Sequence, residues 1–409
     1  MAKEYKDLVV GLDIGTAKIL VAVGEVLPGG DLRLAGLGSA PSNGLKRGAV
    51  VNIDATVASI QHALKEAELM ADCKIARVYT GITGSHIRGI NSSGMVAVKS
   101  KEVSPSDVVH VVETAKAINI SSDQRLLLVE PQEFIIDGQA VREPVGMSGM
   151  RLEAKVHIVT GAQSAAENII KCVRRCGLEV EQLLLNPLAS SQTVLTDDER
   201  ELGVVCVDIG AGCTDVAIFT GGSIRHTAVI PIAGDLITSD IAMALRTPTR
   251  DAEEIKVSHG CAKQLLASAD TQVEVPGLGD RTPRMLSKQA LAGVIEPRVE
   301  EIFHLVQQVI RDSGFEEVLS SGVVLTGGSA VMPGMIELGE DIFLKPVRRG
   351  VPGYANALSE MVAQPRAATV MGLMEEARLA RLRGFKVAQK THPMRSMLGR
   401  FKDFIVGNF

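Results

Sequence analysis

The chain contains two stretches that are close copies of each other, LVVGLDIGTAKILVAV at residues 8–23 and GVVCVDIGAGCTDVAIF at residues 203–219. Each begins with an apolar run, reaches an aspartate, passes through a short segment with glycine and continues into a second apolar run. This pattern predicts a β-hairpin with a carboxylate at the tip of its first strand. The repeat predicts two such hairpins that face each other.

The two predicted turns have the composition of a clamp for a metal-bound polyphosphate. Glycine lets backbone N–H groups approach phosphate oxygens, and N–H groups in such turns form anion-binding nests. Asp13 and Asp208 supply the oxygens that Mg²⁺ prefers, directly or through water. A P-loop is excluded because the sequence has no Gly-x-x-x-x-Gly-Lys-[Ser/Thr] motif. A Rossmann turn at 210–212 is excluded because the chain continues there into a predicted strand rather than a helix.

The composition indicates a large α/β protein. With 409 residues, 46% of them hydrophobic, the chain can bury the cores of two or three domains. Only 3% of the residues are aromatic, so most of the hydrophobic residues are aliphatic, as is typical of buried strands.

No apolar run reaches the roughly 18 residues of a membrane span, and the N-terminus lacks the apolar core of a signal peptide. We expect a cytosolic body. The six cysteines form no Cys-x-x-Cys pair, and we interpret them as small buried residues.

The spacing of apolar residues divides the chain into segments. A helix is predicted from Asp54, as N-cap, to Ala71, and another from Thr238 to Leu245. Residues 85–160 combine short strands with one helix that Ser104-Pro105 opens, which indicates a small α+β insertion. A long helix is predicted to start at Pro297, and a polar linker is predicted at 384–393.

Two further motifs fit a nucleoside. Gly327, Gly328 and Ser329 follow an apolar strand, where a base or ribose can pass close to the backbone; a tight turn between strand and helix is the alternative. Glu253 and Lys256 lie three residues apart on one face of a predicted helix, where they can hold ribose hydroxyls. A surface ion pair is the alternative interpretation of these two residues.

Asp-Ile-Gly-Thr, Asp-Ile-Gly-Ala-Gly, Ala-Glu-x-Ile-Lys and Leu-Thr-Gly-Gly-Ser occur here in the order found in the actin/sugar-kinase/DnaK-type ATPase superfamily. Within it, the chain resembles the FtsA family of bacterial cell-division actin homologues over nearly its whole length. The resemblance implies an α/β, actin-like fold: two RNase-H-like lobes around a nucleotide cleft, a small α+β insertion subdomain and a C-terminal amphipathic helix. It implies a first lobe core (1A) at 1–84, 161–195 and 355–383, an inserted subdomain (1C) at 85–160, a second lobe core (2A) at 196–226 and 316–354, an outer subdomain (2B) at 227–315, a linker at 384–393 and a membrane-targeting helix at 394–409.

The resemblance also implies ATP and Mg²⁺ as cofactors. No Glu, Gln or His stands out as a water-positioning base, so we expect slow hydrolysis or none, with nucleotide acting as a conformational ligand. Ala211 stands where many relatives have glycine, which is tolerated if this position does not need a positive φ. Carried over to this chain, the expected contacts are Gly15, Thr16, Lys18, Gly210, Ala211, Gly212 and Thr214 to the phosphates, Asp13 and Asp208 to Mg²⁺, Glu253 and Lys256 to the ribose, and Gly327, Gly328 and Ser329 to the adenosine.

The C-terminal segment MRSMLGRFKDFIVGNF, residues 394–409, predicts a basic amphipathic helix. The net charge is −5 overall but +7 over residues 377–409, which points to a local role for the tail rather than to nucleic-acid binding. A basic helix with phenylalanines on its apolar face lies in a bilayer interface, and sixteen residues are too few to span it. A terminal helix docked on its own domain is the alternative. The expected membrane contacts are Met397, Leu398, Arg400, Phe401, Lys402, Phe404 and Ile405.

The resemblance to the FtsA family implies an adaptor at the cytoplasmic face of the inner membrane, at the division site. Such a protein anchors filaments of the tubulin homologue FtsZ, self-associates and contacts later division proteins through 85–160. Arg284, Lys288 and Arg298, beside Leu286, Val294 and Ile295, suit the short acidic and apolar C-terminal peptide of FtsZ; solvated helix charges are the alternative. Two other functions stay open: a PilM-like pilus-assembly adaptor, and a sugar kinase, for which no catalytic Asp base or sugar pocket is visible.

Overall fold

A computed structural model of the chain describes residues 7–279, 282–353 and 362–389. The strands are β1 (Leu8–Ile14), β2 (Lys18–Val26), β3 (Leu32–Pro41), β4 (Leu45–Lys46), β5 (Ala49–Val50), β6 (Arg77–Ile82), β7 (Arg88–Ala97), β8 (Gln124–Ile136), β9 (Gln139–Val141), β10 (Arg151–Ala162), β11 (Glu179–Leu185), β12 (Val204–Ile209), β13 (Thr214–Thr220), β14 (Ser223–Ile230), β15 (Gln272–Val275), β16 (Arg284–Ser287), β17 (Val323–Thr326) and β18 (Val347–Arg349). The α-helices are α1 (Ile53–Ala71), α2 (Pro105–Lys116), α3 (Gln163–Arg175), α4 (Asn186–Val194), α5 (Asp197–Leu202), α6 (Gly234–Leu245), α7 (Thr249–His259), α8 (Lys288–Ser313), α9 (Met335–Phe343) and α10 (Ala368–Gln389).

Two five-stranded sheets share one topology. Their strand orders are β3-β2-β1-β6-β11 and β14-β13-β12-β17-β18. In each sheet the first three strands of the chain form an antiparallel meander, and the last two strands run parallel to the first. The predicted hairpins are β1–β2 and β12–β13, the central pair of each sheet. The twin hairpins and the two-lobed, actin-like fold are therefore confirmed.

The sheets are covered on both faces, which explains their continuous apolar runs. Along β1, alternate residues face opposite sides. Val10, Leu12 and Ile14 pack against α1 and α3, whereas Val9 packs against α10. At Gly372, α10 approaches α4 so closely that a Cβ atom would clash with the Ala189 carbonyl oxygen. The burial of β1 and β12 holds the aspartates near their ends in fixed positions.

The inserted subdomain lies between β6 and α3. It is a four-stranded antiparallel sheet of order β7-β10-β8-β9 with α2 packed on one face. Ser104 and Asp107 form a capping box at the start of α2, as the Ser104-Pro105 pair predicts. The four strands and one α-helix agree with the small α+β insertion predicted for residues 85–160.

Three helices start elsewhere than the sequence predicts. The N-cap of α1 is Asn52, not Asp54, and its side chain accepts a hydrogen bond from the Ala55 N–H. Helix α6 begins at Gly234, four residues before Thr238. Helix α8 begins at Lys288 with Pro297 inside it, because the upstream residues Leu291, Ala292 and Ile295 are buried in the core and their packing outweighs the cost of an internal proline.

The predicted linker at 384–393 is wrong for its first six residues. Helix α10 continues to Gln389, so residues 384–389 are helical. The remainder of the linker and the predicted amphipathic helix at 394–409 lie outside the described residues. No helix within 7–279, 282–353 and 362–389 has the length and apolar character needed to cross a bilayer.

Candidate functional site

The two hairpin turns have the same internal geometry. In the first, the Gly15 N–H donates to the Lys18 carbonyl oxygen at 3.1 Å. In the second, the Gly210 N–H donates to the Cys213 carbonyl oxygen at 3.0 Å. Ala211 has no positive φ, so alanine fits there without strain, as expected for a turn that tolerates the substitution.

The turns belong to opposite lobes, and they touch. A Cβ atom on Gly212 would lie 2.6 Å from Thr16 Oγ1 and 2.9 Å from the Cα of Arg47. Arg47 forms the tip of the β4–β5 hairpin with Gly48, whose N–H donates to Thr16 Oγ1 at 3.1 Å. Glycine is required at 212 by this close approach. The predicted facing of the hairpins is therefore observed, and we call the space between them the cleft.

Three buried aspartates lie at the bottom of the cleft. They are Asp13 on β1, Asp208 on β12 and Asp215, which pairs with Asp208 across the second hairpin. Burial raises the pKa of Asp13 to about 7, an effect that Lys18 opposes and Asp208 reinforces. Burial also raises the pKa of Asp208. The pKa of Asp215 lies well above its usual range because of burial and the charge of Asp208.

The hydrogen bonds of these carboxylates differ. Asp208 Oδ2 accepts from Thr369 Oγ1 at 3.1 Å, and Asp215 accepts from the Thr83 hydroxyl of the first lobe. Within the described part of the chain, no group donates a hydrogen bond to the Asp13 carboxylate. The buried Asp13 carboxylate thus accepts no hydrogen bond from the described residues.

The cleft combines acidic groups with nearby cations. Burial and the charge of Arg366 lower the pKa of Lys18 to about 8, although Asp13 and Asp208 oppose the shift. Among the described residues, no three metal-ligating side chains converge on one point. Two carboxylates still fit Mg²⁺, which usually keeps several waters and takes its other ligands from a bound phosphate.

Gly327 borders Asp208, and Ser329 contacts the second turn. Gly327 has φ +88°, and a Cβ atom there would clash with Asp208 Oδ1, so glycine is required for two reasons. Ser329 Oγ donates to the Gly210 carbonyl oxygen at 3.0 Å. A Cβ atom on Gly328 would meet nothing within 4 Å, which leaves its backbone open to a ligand. These residues are brought together with the second turn.

Glu253 and Lys256 form an ion pair, with Lys256 Nζ 2.6 Å from Glu253 Oε2. The alternative to ribose binding was a surface ion pair, but Lys256 is buried and the pair is therefore not a surface one. Its Nζ donates to the Gly234 carbonyl oxygen at 3.1 Å and to Thr238 Oγ1 at 2.8 Å, and Thr238 donates to Glu253. Lys256 thereby holds the start of α6, whose Gly234 N–H donates to the Gly210 carbonyl oxygen. The pair is thus connected to the second turn through α6.

Sequence reasoning missed Asp215, Arg366 and Thr369. Asp215 follows Asp208 by seven residues and occupies the paired strand, so the hairpin register was a usable signal. Arg366, just before α10, and Thr369, in its first turn, reach the cleft from more than 150 residues after the second turn in sequence. No local pattern marks these two.

The three predicted partner-binding cations do not form one free cluster. Arg298 donates two hydrogen bonds to Asp240, at 2.6 and 3.1 Å, and also pairs with Glu301, so its charge is largely neutralised within the fold. Exposed Arg284 donates to the Leu245 carbonyl oxygen at 2.7 Å. Lys288 is half-buried at the start of α8, ten residues before Arg298, about 15 Å along the helix. Of the expected apolar neighbours, Ile295 is fully buried in the core.

Comparison with known proteins identifies the family. The family description "Cell division protein FtsA" matches residues 205–372, and "SHS2 domain inserted in FTSA" matches residues 84–160. A Pseudomonas aeruginosa protein named cell division protein FtsA is 52% identical, over 98% of both chains. The protein of that name from Escherichia coli K12 is 46% identical, over 94% of both. This chain belongs to the FtsA family. It is an actin-like cell division protein.

Solved structures agree with this fold. A PilM–PilN type IV pilus biogenesis complex matches with a TM-score of 0.66 at 18% identity, covering 90% of this chain and 98% of the other. MreB5 of Spiroplasma citri bound to ADP matches with a TM-score of 0.56 at 14% identity, covering 94% and 99%. At these identities the likeness concerns the fold alone. The division relatives therefore favour the FtsA family over the pilus-assembly and sugar-kinase alternatives.

The raised pKa of Asp13 predicts a pH dependence of stability. A carboxyl group with a pKa of about 7 in the folded state and 3.8 unfolded keeps its proton longer when folded, so the free energy of unfolding falls as pH rises from about 4 to 7. Asp13→Asn imitates the protonated form. We expect it to raise the free energy of unfolding at pH 8 by on the order of 2 kcal/mol and to change little at pH 4. Urea unfolding at both pH values measures this; equal stability of variant and parent at pH 8 contradicts it.

Proposed function

We propose that the cleft binds Mg·ATP and that the bound nucleotide sets the arrangement of the two lobes. The observation that carries this proposal is the contact between two glycine turns of opposite lobes directly above buried Asp13 and Asp208. The pKa values of Asp13 and Asp208 stay raised although the charge of Lys18 opposes the shift, and Mg²⁺ would supply further positive charge to these buried carboxylates. The structures of MreB5 bound to ADP and to AMPPNP show that a distant relative of the same fold takes such nucleotides.

Each part of the cleft suits one part of the ligand. The turns at 15–18 and 210–213 present backbone N–H groups to the phosphates, and Lys18 adds a positive charge. The open backbone at Gly328 receives the adenosine, and Glu253, which is half-exposed, receives the ribose. Isothermal titration calorimetry of the full chain with ATP, with and without Mg²⁺, tests the proposal. We expect Mg²⁺-dependent binding, and its absence contradicts the proposed function.

Hydrolysis is proposed to be slow. No glutamate, glutamine or histidine in the sequence stands out as a group that could position an attacking water, and burial raises the pKa of each of the three aspartates. Nucleotide then acts through binding and not through turnover, as an assembly ligand.

We also propose the adaptor role that family membership suggests. The amphipathic segment 394–409 anchors the chain to the cytoplasmic face of the inner membrane, and residues 284–298 bind the C-terminal peptide of FtsZ. Self-association and contact with later division proteins through 85–160 complete the role. Co-sedimentation of FtsZ with vesicles and the full chain, with and without ATP, tests the assembly; FtsZ left in the supernatant in both conditions contradicts it.

The FtsZ site is proposed to centre on Arg284 and Lys288, with Met285 between them 60% exposed. Because neither cation has a carboxylate partner among the described residues, both are available to an acidic peptide. We expect Arg284→Ala/Lys288→Ala to weaken binding of the FtsZ C-terminal peptide about tenfold, measured by fluorescence anisotropy.

The matched control is Arg311→Ala, at the exposed far end of the same helix, which should change affinity less than twofold. Arg298→Glu, which places a third carboxylate beside Asp240 and Glu301, should lower the melting temperature as well as the affinity. Unchanged affinity in the double variant would remove this patch from the proposal.

A further inference from the structure

The inserted subdomain is joined to the first lobe by the chain but also rests on the second lobe. Strands β7, β8 and β10 of the insertion pack against β14, the edge strand of the second sheet. The insertion therefore contacts both lobes, and a change in the angle between the lobes would act on this contact.

The contact is made of side chains that bond to the backbone of β14. Gln132 Nε2 donates to the carbonyl oxygens of Ile224 and Arg225 at 2.9 and 3.1 Å. Asn91 Nδ2 donates to the same Arg225 oxygen at 3.1 Å. Gln132 and Arg225 are each the extra residue at a register shift of their own strand pair. Bulges redirect residues out of a regular ladder, so each strand is deformed where it meets the other.

A buried histidine completes the contact. His157 is 1% exposed, with Nδ1 2.6 Å from Asn91 Oδ1 and Nε2 2.9 Å from Thr227 Oγ1. Because the Asn91 oxygen only accepts, Nδ1 carries the proton and Nε2 accepts from the Thr227 hydroxyl. Burial lowers the pKa of His157 to about 4, which keeps the ring neutral and this pattern fixed at physiological pH. A Cβ atom on Gly89 would lie 2.7 Å from Thr227 Oγ1, so the two backbones are close.

The segment that leads from β6 into the insertion contacts the cleft. Thr83, the residue after β6, donates to Asp215 of the second lobe, and the chain enters the insertion immediately afterwards. Asp215 pairs with Asp208 and lies on β13, the strand that also pairs with β14. One path of contacts therefore leads from the cleft carboxylates through β13 and β14 to Gln132, Asn91 and His157.

We propose that the contact of Asn91, Gln132 and His157 with β14 is a latch that transmits the closure of the nucleotide cleft to the inserted subdomain. The inference rests on the proposed nucleotide binding. The latch consists of a few hydrogen bonds, each with a small net contribution, so it can open and re-form without unfolding either part. In the described arrangement the latch is formed and the two turns are in contact, so the latch stabilises the closed cleft. By linkage, weakening the latch weakens nucleotide binding.

Hydrogen exchange read by mass spectrometry tests the latch on the full chain. In the parent protein, Mg·ATP should slow exchange in both turns and also in β7 and β8. In Asn91→Ala/Gln132→Ala, the turns should still be protected, the response of β7 and β8 should disappear, and the affinity for Mg·ATP should fall roughly fivefold. Gln139→Ala, an exposed residue of the same subdomain, is the matched control and should behave as the parent.

The outcomes separate the latch from the proposed function. Protected turns with no response of the insertion in the parent protein overturn the latch alone, and so does a full response of the insertion in the double variant. Turns that stay unprotected in both proteins overturn nucleotide binding and the latch with it. If the double variant does not fold, Gln132→Ala alone leaves His157 and Asn91 paired and should show a reduced response of β7 and β8.

Discussion

Asp208→Ala is expected to lower the affinity for Mg·ATP by on the order of 100-fold, as measured by titration calorimetry. Asp208 is buried at the end of β12, accepts a hydrogen bond from Thr369 and lies against Gly327. Its removal takes away one of two carboxylates that face the proposed metal. The same substitution also relieves the like-charge interaction with Asp215, so the protein without nucleotide should not lose much stability.

Asp208→Asn separates charge from shape in this experiment. The amide keeps an oxygen that can accept from Thr369 but removes the negative charge. We expect a loss of Mg²⁺-dependent binding close to that of the alanine variant. Asp270→Asn, an exposed aspartate outside the cleft, is the matched control and should bind as the parent. Parental Mg·ATP affinity in both Asp208 variants would refute the clamp.

Phe404→Glu is expected to reduce binding to vesicles with anionic lipids by at least about tenfold in a co-sedimentation assay. The substitution removes an aromatic side chain from the predicted apolar stripe, worth roughly 2–3 kcal/mol when buried, and adds a charge that anionic headgroups repel. The stripe is a prediction from the sequence, because 394–409 lie outside the described residues.

Val406→Glu is the matched control for the tail. It introduces the same charge two residues later, about 200° around a helix and therefore on the polar side of the predicted stripe. We expect a loss of binding of less than about threefold from charge alone. Equal losses in the two variants would mean that net charge and not an amphipathic helix governs the membrane contact, and no loss in either would refute the anchor.

The sequence predicted well what local patterns determine. The twin hairpins follow from apolar alternation and glycine turns, and each is closed by contacts within about fifteen residues. Helix starts were less predictable. Helix α8 begins at Lys288 and not at Pro297, and the reason, the burial of Ile295 in the core, is not visible in the sequence. Pairing over long sequence distances was not predictable at all.

The same distinction applies to the candidate site. Asp13 and Asp208 could be found because the motif repeats, whereas Arg366 and Thr369 reach the cleft only through the tertiary packing of α10. The sequence predicts Arg298 as a partner-binding cation, but Asp240, 58 residues away, pairs with it in the fold. A charge pattern along the chain does not tell which charges are already paired in space.

Helix α10 has a mechanical consequence of its own. Near its start, the Thr369 hydroxyl donates a hydrogen bond to Asp208 of the second lobe. Further along, Arg381 contacts the first lobe, with Nε 3.5 Å from Asp7 Oδ1 and Nη2 3.3 Å from Glu181 Oε1. Its 22 residues make a rod about 33 Å long, which packs against α4 at Gly372, four residues after the helix begins. Because this contact lies near one end of the helix, a small tilt of α10 at Thr369 would move its far end, at Gln389, through a larger distance.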